Sequence, residues 1–367
     1  MSHVVAIDAR TLGATGLGSY VSQLLEGCAA MDHEFRFRVL CARPESVAGF
    51  PPGKVDIVRA TAPTYSPREH WQIARLASGS DLLHCPHYNV PYLYNGRLVV
   101  TIHDLTHLMG RDFVPSRPAY WYARFMLRTA AHRAQRIITV SEFSKRSICD
   151  YLGVQENKVC VIHNALSERF EHARKAISSP PKQNGINRPY ILYVGLLKPH
   201  KNVEGLIRAY SALPASLRDS QQLVLAGKLD RSYPALRQLT EDLRLQDKVL
   251  FVGHVIDDEL HALYAGARVF VLPSFNEGFG LPALEAMAYG IPVVASNTSS
   301  LPEVVGDAGI LVNPRDTQEI SSAISTLLVN ESLRNQFAEL GRRRVQLFSA
   351  KEFAMRHLEV YREAIRG

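Results

Sequence analysis

The sequence predicts an α/β protein of two doubly wound domains, each a parallel sheet covered on both faces by helices, and three observations carry that prediction. The chain has 367 residues, enough for two domains of roughly 150 residues each. Short apolar, β-branched runs alternate with longer helical patterns along its whole length. The alternation breaks once, at 176–188 (AISSPPKQNGINR), where Pro, Ser, Asn and Gly cluster without periodicity, and then restarts.

In the first half the strand candidates are 4–7, 38–41, 56–58, 82–84, 98–102 and 137–140, with helical patterns such as 20–31 and 119–134 between them. In the second half they are 190–194, 222–226, 248–252, 269–272, 292–295 and 309–311. The expected division is an N-terminal domain over 1–175, a linker over 176–188 and a C-terminal domain over 189–348. A closing helix within 349–367 has no strand left to pair with and is expected to cross back to the N-terminal domain. Open parallel sheets bind ligands beyond the carboxyl ends of their strands. Chemistry is therefore expected in the loops after Ile7, Ile102, Val194, Val252 and Leu272.

Composition is that of a globular protein, 46% hydrophobic and 21% charged, with no low-complexity tract or internal repeat. The chain opens directly on a strand pattern and contains no run of about 18 uncharged apolar residues, which predicts a cytoplasmic protein without a spanning helix. Its five cysteines (Cys28, Cys41, Cys85, Cys149, Cys160) are scattered and never form a C-x-x-C pair, the usage of reduced core thiols. The net charge of +7 sits in the first half: 21 Lys/Arg face 15 Asp/Glu in 1–180, against 21 and 20 in 181–367. The excess concentrates in 111–146, where eight basic residues, including Arg111 and Arg146, meet two acidic ones and are interleaved with Tyr120, Trp121, Tyr122 and Phe125. Such a segment is either a solvated face with aromatic anchors in the core or a surface for anionic lipid. Signatures of nucleic-acid binding are absent, so no nucleic-acid partner is expected.

The most informative segment is Phe275-Asn276-Glu277-Gly278-Phe279-Gly280-Leu281-Pro282-Ala283-Leu284-Glu285, which follows the strand at 269–272. Two carboxylates eight positions apart, one in a glycine loop and one two turns into a helix, can face one ligand at different depths. One suits a sugar and the other a ribose. Gly278 and Gly280 admit close backbone approach, and the amides of Phe279 to Leu281 would open a helix N-terminus, a natural phosphate seat. Standing alone, Glu277 would read as a helix cap and Glu285 as a solvated helix residue.

This segment resembles the Glu, seven residues, Glu motif of the family 4 retaining glycosyltransferases. The likeness continues through Gly290-Ile291-Pro292-Val293-Val294-Ala295-Ser296 and Leu301-Pro302-Glu303-Val304-Val305-Gly306, and it is densest from 190 to 314. The resemblance implies the GT-B fold, two Rossmann-like doubly wound domains facing across a cleft, and a catalyst resembling bacterial mannosyltransferases of surface-polysaccharide assembly. It implies that Glu277 contacts the donor sugar, that the amides of Gly278, Phe279, Gly280 and Leu281 hold sugar and phosphates, and that Glu285 holds the ribose. A neutral histidine at a strand end, His103 beside Asp104, can donate to a sugar hydroxyl, and the resemblance implies a functional histidine at this position and a phosphate-binding lysine at Lys201. Many relatives carry an arginine directly after the glycine of this loop. Leu196 stands there instead, and Lys198 is the substitute cation. Gly16 would close over the diphosphate when the domains clamp, and the backbone of Gly253, His254 and Val255 would hold the base. Ser141 lies on the acceptor or donor side.

Two other readings of these loops are available. Gly13-Ala14-Thr15-Gly16-Leu17-Gly18 also resembles a dinucleotide fingerprint, but no tyrosine has a lysine four residues on, which argues against a short-chain reductase. His103, Asp104 and His107, with His84 and His87, could hold a metal, yet their spacing falls on a turn without an acidic cluster, and no metal or other cofactor is expected. The expected reaction is transfer of a hexosyl group, first guess mannosyl from GDP-mannose, from a nucleoside diphosphate sugar to a hydroxyl of a saccharide or lipid-linked saccharide. A UDP-sugar donor, a sugar phosphorylase or sugar-phosphate synthase of the same fold, and a non-catalytic nucleotide-sugar-binding module stay open.

Overall fold

The computed structural model describes residues 3–13, 16–47, 55–109, 116–167, 170–172, 174, 185–228 and 232–367. The chain divides into two compact units: Met1–Ser167 together with Ser349–Gly367, and Glu168–Phe348. Ala14 and Thr15 of the glycine loop, the first five residues of the basic aromatic segment and 176–184 of the expected linker lie outside the described residues.

The first unit holds a seven-stranded sheet made of β1 (His3–Asp8), β2 (Phe35–Cys41), β3 (Val55–Arg59), β4 (Leu82–Cys85), β5 (Leu98–Thr101), β6 (Arg136–Thr139) and β7 (Val159–Val161). Every pairing is parallel and the order is β3-β2-β1-β4-β5-β6-β7. Because helices cover both faces, the central strands read as continuous apolar runs, and Val5, Ala6, Ile7, Leu82, Val99 and Val100 are fully buried. The second unit repeats the plan with β8 (Tyr190–Val194), β9 (Gln222–Ala226), β10 (Val249–Gly253), β11 (Ala267–Leu272), β12 (Val293–Ser296) and β13 (Gly309–Val312), in the order β10-β9-β8-β11-β12-β13. The order of each sheet reverses beside its first strand, between β1 and β4 and between β8 and β11. Loops leaving those strands part to opposite faces and open the crevice where ligands bind.

Strand ends differ from the sequence expectation by a few residues, and β7 is an added strand. It spans three residues, too short to show any periodicity, and exists through its register with β6 (Ile137↔Val159).

The closing helix, Ala350–Arg366, belongs to the first unit, packing on the helix Leu17–Ala29 and joining a buried chain of hydrogen bonds. His357 Nδ1 donates to the Phe353 carbonyl (2.7 Å), so neutral Nε2 accepts from the Tyr20 hydroxyl (2.6 Å). Thr101 Oγ1 donates to Tyr20 (3.0 Å), His84 Nε2 donates to Thr101 (2.9 Å), and the Tyr361 hydroxyl donates to His84 Nδ1 (2.7 Å). With both histidines neutral, His357 Nε2 and His84 Nδ1 are the acceptors for the two tyrosine hydroxyls; protonating either ring removes that acceptor and puts a charge in the buried chain. Burial holds His84 well below the usual histidine range and His357 at about 4. A histidine depressed on folding adds stability above its unfolded value near 6.5 and loses it as pH falls toward its folded value. Stability should therefore drop between pH 6.5 and about 4, at roughly 1.4 kcal/mol per pH unit for each histidine. Denaturant titrations across that window check this, and His357→Gln should flatten the slope.

Candidate active site

The β8/β11 switch point brings Lys201 and Glu277 of the second unit together. After β8 the chain makes a short turn, Pro199–Lys201, and Asn202 then takes the left-handed conformation (φ 56, ψ 38) to begin the helix Val203–Ser211. The buried Asn202 amide donates to the Pro273 carbonyl (3.0 Å) and the Pro314 carbonyl (2.7 Å). The Phe275 amide donates back to the His200 carbonyl (2.8 Å). The loops after β8 and β11 are thus cross-linked, which fixes Lys201 against Glu277.

Lys201 Nζ lies 2.6 Å from Glu277 Oε2, and Ser274 Oγ donates to Oε1 at 2.8 Å. The backbone of Glu277 is held as well: its amide donates to Ser299 Oγ (3.2 Å) and its carbonyl accepts from Ser300 Oγ (2.9 Å). Glu277 is only 7% exposed. A carboxylate so withdrawn from water needs a counter-charge and donors for its lone pairs, and the loop supplies both. The result is a buried carboxylate at a strand end with the Lys201 ammonium paired to it. Glu277 is not the cap of the following helix. Gly280 (φ 96, ψ 42) occupies that position, where a Cβ would meet Leu301 Cδ2 at 2.5 Å, and the helix Leu281–Ala288 starts after it with Pro282 in its first turn. Gly278 is buried, and the Phe279 ring packs edge-on against Phe348 at 5.6 Å.

Glu285 stands on that helix, half-buried, and accepts from the hydroxyl of the fully buried Tyr264 at 2.7 Å. Tyr264 is stacked on Tyr289 (5.6 Å, 17°), whose hydroxyl meets His261 Nδ1 at 2.6 Å. The second carboxylate is therefore oriented from behind rather than solvated. Lys198 is half-buried at the start of the Pro199–Lys201 turn. Gly253, the last residue of β10, has φ 73 and its carbonyl accepts from the Gly227 amide at 2.8 Å; His254 beyond it is exposed and Val255 half-buried.

In the first unit, His103 follows β5. Its Nε2 lies 3.1 Å from the Pro86 carbonyl, and since a carbonyl only accepts, Nε2 carries the proton. Burial lowers its pKa, and the neutral ring presents Nδ1 as an acceptor. It can receive a hydrogen bond from a sugar hydroxyl, the reverse of the donation expected from sequence. Asp104 Oδ1 accepts from the Thr106 amide (2.8 Å) at the start of the short helix Thr106–Met109, and Ser141 caps the helix Glu142–Leu152 through the Ser144 amide (3.1 Å). Gly16 (φ 72, ψ −78) precedes the helix Leu17–Ala29. His84 serves the buried chain described above, and no group of three or more metal-ligating side chains is found among the described residues.

Sequence reasoning passed over a cavity of about 190 Å³ at the β1/β4 switch point, lined by Asp8, Arg10, Tyr65, His87 and Asn89 among others. Arg10 pairs with Asp8 (2.7 Å) and with the buried Glu69 (2.9 Å), and Asn89 Nδ2 donates to Glu69 Oε1 (2.6 Å). Burial depresses His87 to about 3. The charged cluster was hidden because its members come from β1, the loop after it and the helix Pro67–Leu76, with no common motif.

A family model described as Glycosyltransferase Family 4 matches residues 14–169, and one described as Glycosyl transferases group 1 matches residues 177–344. The O-antigen chain mannosyltransferase B of Escherichia coli is 34% identical over 283 residues, 77% of this chain and 74% of its own. The serotype-specific mannosyltransferase WbdA of Escherichia coli is 33% identical over 262 residues, 70% of this chain but 31% of WbdA, so this chain spans less than a third of that protein. The structure of sucrose-phosphate synthase from Thermosynechococcus elongatus matches with a TM-score of 0.77 and 24% identity over 99% of both chains, a likeness of fold. With a family model on each half and a relative at that identity over about three quarters of both chains, the chain belongs to the family 4 glycosyltransferases: it is a glycosyl-transferring enzyme of the GT-B fold.

Proposed function

We propose that the protein is a retaining hexosyltransferase that moves a mannosyl group from GDP-mannose to a hydroxyl of a saccharide, and that the observation carrying this reading is the Lys201–Glu277 pair at the β8/β11 switch point. On donor binding, Lys201 passes to the diphosphate, helped by Lys198. Glu277 Oε2 is thereby released to accept from the sugar hydroxyls. The amides from Gly278 to Leu281 supply further donors to the phosphates, Glu285 takes the ribose hydroxyls, and the backbone of Gly253 to Val255 takes the base. As the bond from the anomeric carbon to the phosphate oxygen breaks, the acceptor oxygen bonds to the same face of that carbon. The acceptor proton goes to the departing phosphate. Fixed cations facing the developing negative charge, with reactants held in place, supply the rate enhancement.

Similarity to O-antigen chain mannosyltransferase B supports the mannosyl donor. The cavity lined by Asp8, Arg10, His87 and Asn89 offers carboxylate, guanidinium and amide groups suited to acceptor hydroxyls, and His103 Nδ1 receives a further sugar hydroxyl. A lipid-linked acceptor at the cytoplasmic face of a membrane belongs to the same proposal. The test is incubation with GDP-mannose and mannose-terminated oligosaccharides, with the anomeric configuration of the product read by NMR. An α-linked product without added inorganic phosphate is expected. Turnover of UDP-sugars alone, an inverted product or dependence on free phosphate would overturn this reading.

A further inference from the structure

The helix Arg117–Arg133 buries Ala123, Met126, Leu127, Ala130 and Ala131 on one side, the ordinary pattern of a sheet-covering helix. Its other side is not ordinary. Trp121, Phe125, Arg128 and His132 recur at helical spacing on the solvent face, and Trp121 and Phe125 are 61% and 56% exposed. The Arg124 guanidinium stands 5.9 Å from the Trp121 ring. Beside this face the loop residues Tyr92 and Leu93 are 54% and 56% exposed, and the Tyr92 ring lies 6.4 Å from that of Phe125. Arg133 holds the loop in place by donating to the carbonyls of Pro91 (3.3 Å), Tyr92 (3.0 Å) and Tyr94.

Together the helix and the loop border a shallow groove of about 520 Å³ whose lining contains Arg124, Arg128 and Arg133 and no acidic side chain. The sequence from 116 to 141 contains no Asp or Glu. Four large apolar or aromatic side chains left in water are costly at about 25 cal/mol per Å² of apolar surface. Packing does not explain them, since the core side of the helix is already filled. Aromatic rings with guanidinium groups between them match the headgroup layer of an anionic bilayer, where the rings enter the acyl boundary and the cations meet phosphate.

We infer that this face is a membrane-docking surface, with anionic lipid as its occupant. Trp121, Phe125, Tyr92 and Leu93 insert, and Arg124 and Arg128 bind the lipid phosphates. The surface is narrower than the basic aromatic segment read from sequence, because the helix Glu142–Leu152 is a separate element and Tyr120 and Tyr122 are partly covered. It also includes residues 92 and 93, which that segment lacks. Docking goes beyond glycosyl transfer and is measured without donor or acceptor, so either can fail while the other stands.

The experiment uses the full chain carrying Trp71→Phe, which leaves Trp121 as the single tryptophan of the two present. Vesicles of phosphatidylcholine alone, or with three parts in ten phosphatidylglycerol, are titrated while tryptophan emission and co-sedimentation are followed. Expected are a blue shift and sedimentation with the anionic vesicles, weakening as salt rises, and at least a tenfold weaker affinity for Arg124→Glu/Arg128→Glu and for Trp121→Ala/Phe125→Ala. Transfer to a soluble acceptor should be unchanged in both variants. Equal binding to neutral vesicles, no binding to either, or variants that bind as the parent does would overturn the inference. So would self-association abolished by Trp121→Ala, which would make the occupant a second copy of the chain.

Discussion

A Glu277→Gln variant should fold like the parent and lose about 10²–10³ in kcat, the size of effect seen when one preorganised electrostatic contact to a transition state is removed. The substitution keeps shape and preserves an acceptor for Ser274 Oγ, which donates to Oε1. What it removes is the charge opposite Lys201 and the acceptor at Oε2. Breaking a buried ion pair costs several kcal/mol when the remaining charge is trapped. The Lys201 side chain retains 19% of its exposure and can turn to solvent, so a smaller penalty, on the order of 1–2 kcal/mol, is expected here. Rate and stability should therefore part company: kcat collapses while the melting temperature shifts by a few degrees. If Lys201 and Glu277 act as one unit, Lys201→Met in the Glu277→Gln background should cost little more than either change alone. Steady-state kinetics of the two single variants and the double variant check this, and near-parental turnover of Glu277→Gln would contradict a donor-sugar role for Glu277.

The largest stability effect is expected at Gly227. Three strands of the second unit end on glycines whose backbones approach without side chains between them: Gly195 after β8, Gly227 after β9 and Gly253 at the end of β10. The Gly195 amide donates to Ala226 (2.9 Å) and the Gly227 amide to Gly253 (2.8 Å). A Cβ at Gly227 would run into the carbonyl oxygen and carbon of Gly195, and φ +149 is itself a conformation that L side chains rarely adopt. Backbone cannot rotate aside as a side chain can, so Gly227→Ala should cost roughly 4 kcal/mol or more. It should also displace the loop that carries Lys201 and weaken donor binding. Gly253→Ala is the control. It has positive φ (+73), but a Cβ there meets nothing within 4 Å, so strain alone, about 1–2 kcal/mol, is expected. Thermal unfolding of the two variants side by side checks the ranking, and equal losses would contradict it.

The strands were legible in the sequence because parallel strands buried on both faces must be apolar throughout. The pattern at 190–194 needs no alternation to be recognised, whereas the three residues of β7 carry no pattern. Glu277 and Lys201 were legible one at a time, each beside a glycine after a strand. Their 2.6 Å contact was not, because it depends on β8 and β11 lying side by side although 72 residues of sequence separate Val194 from Ala267. Ser274, Ser299, Ser300 and Tyr264 escaped notice for a different reason. A serine or a tyrosine is common in any loop or helix, and only the hydrogen bonds to Glu277 and Glu285 mark these four. The acceptor-like sense of His103 was likewise unreadable, since it is fixed by the carbonyl of Pro86 from the loop after β4.

If the loops after β8 and β11 form the donor site, with Lys201 on the diphosphate, nucleotide binding must depend on Lys201. Equilibrium titration of the full chain with GDP, UDP and ADP, each with and without a divalent cation, tests it most directly when repeated on Lys201→Met. One diphosphate, first of all GDP, should bind without added cation, and Lys201→Met should weaken it at least tenfold, or about 1.4 kcal/mol. Binding that is absent for all three nucleotides, or that survives unchanged in Lys201→Met, would contradict it.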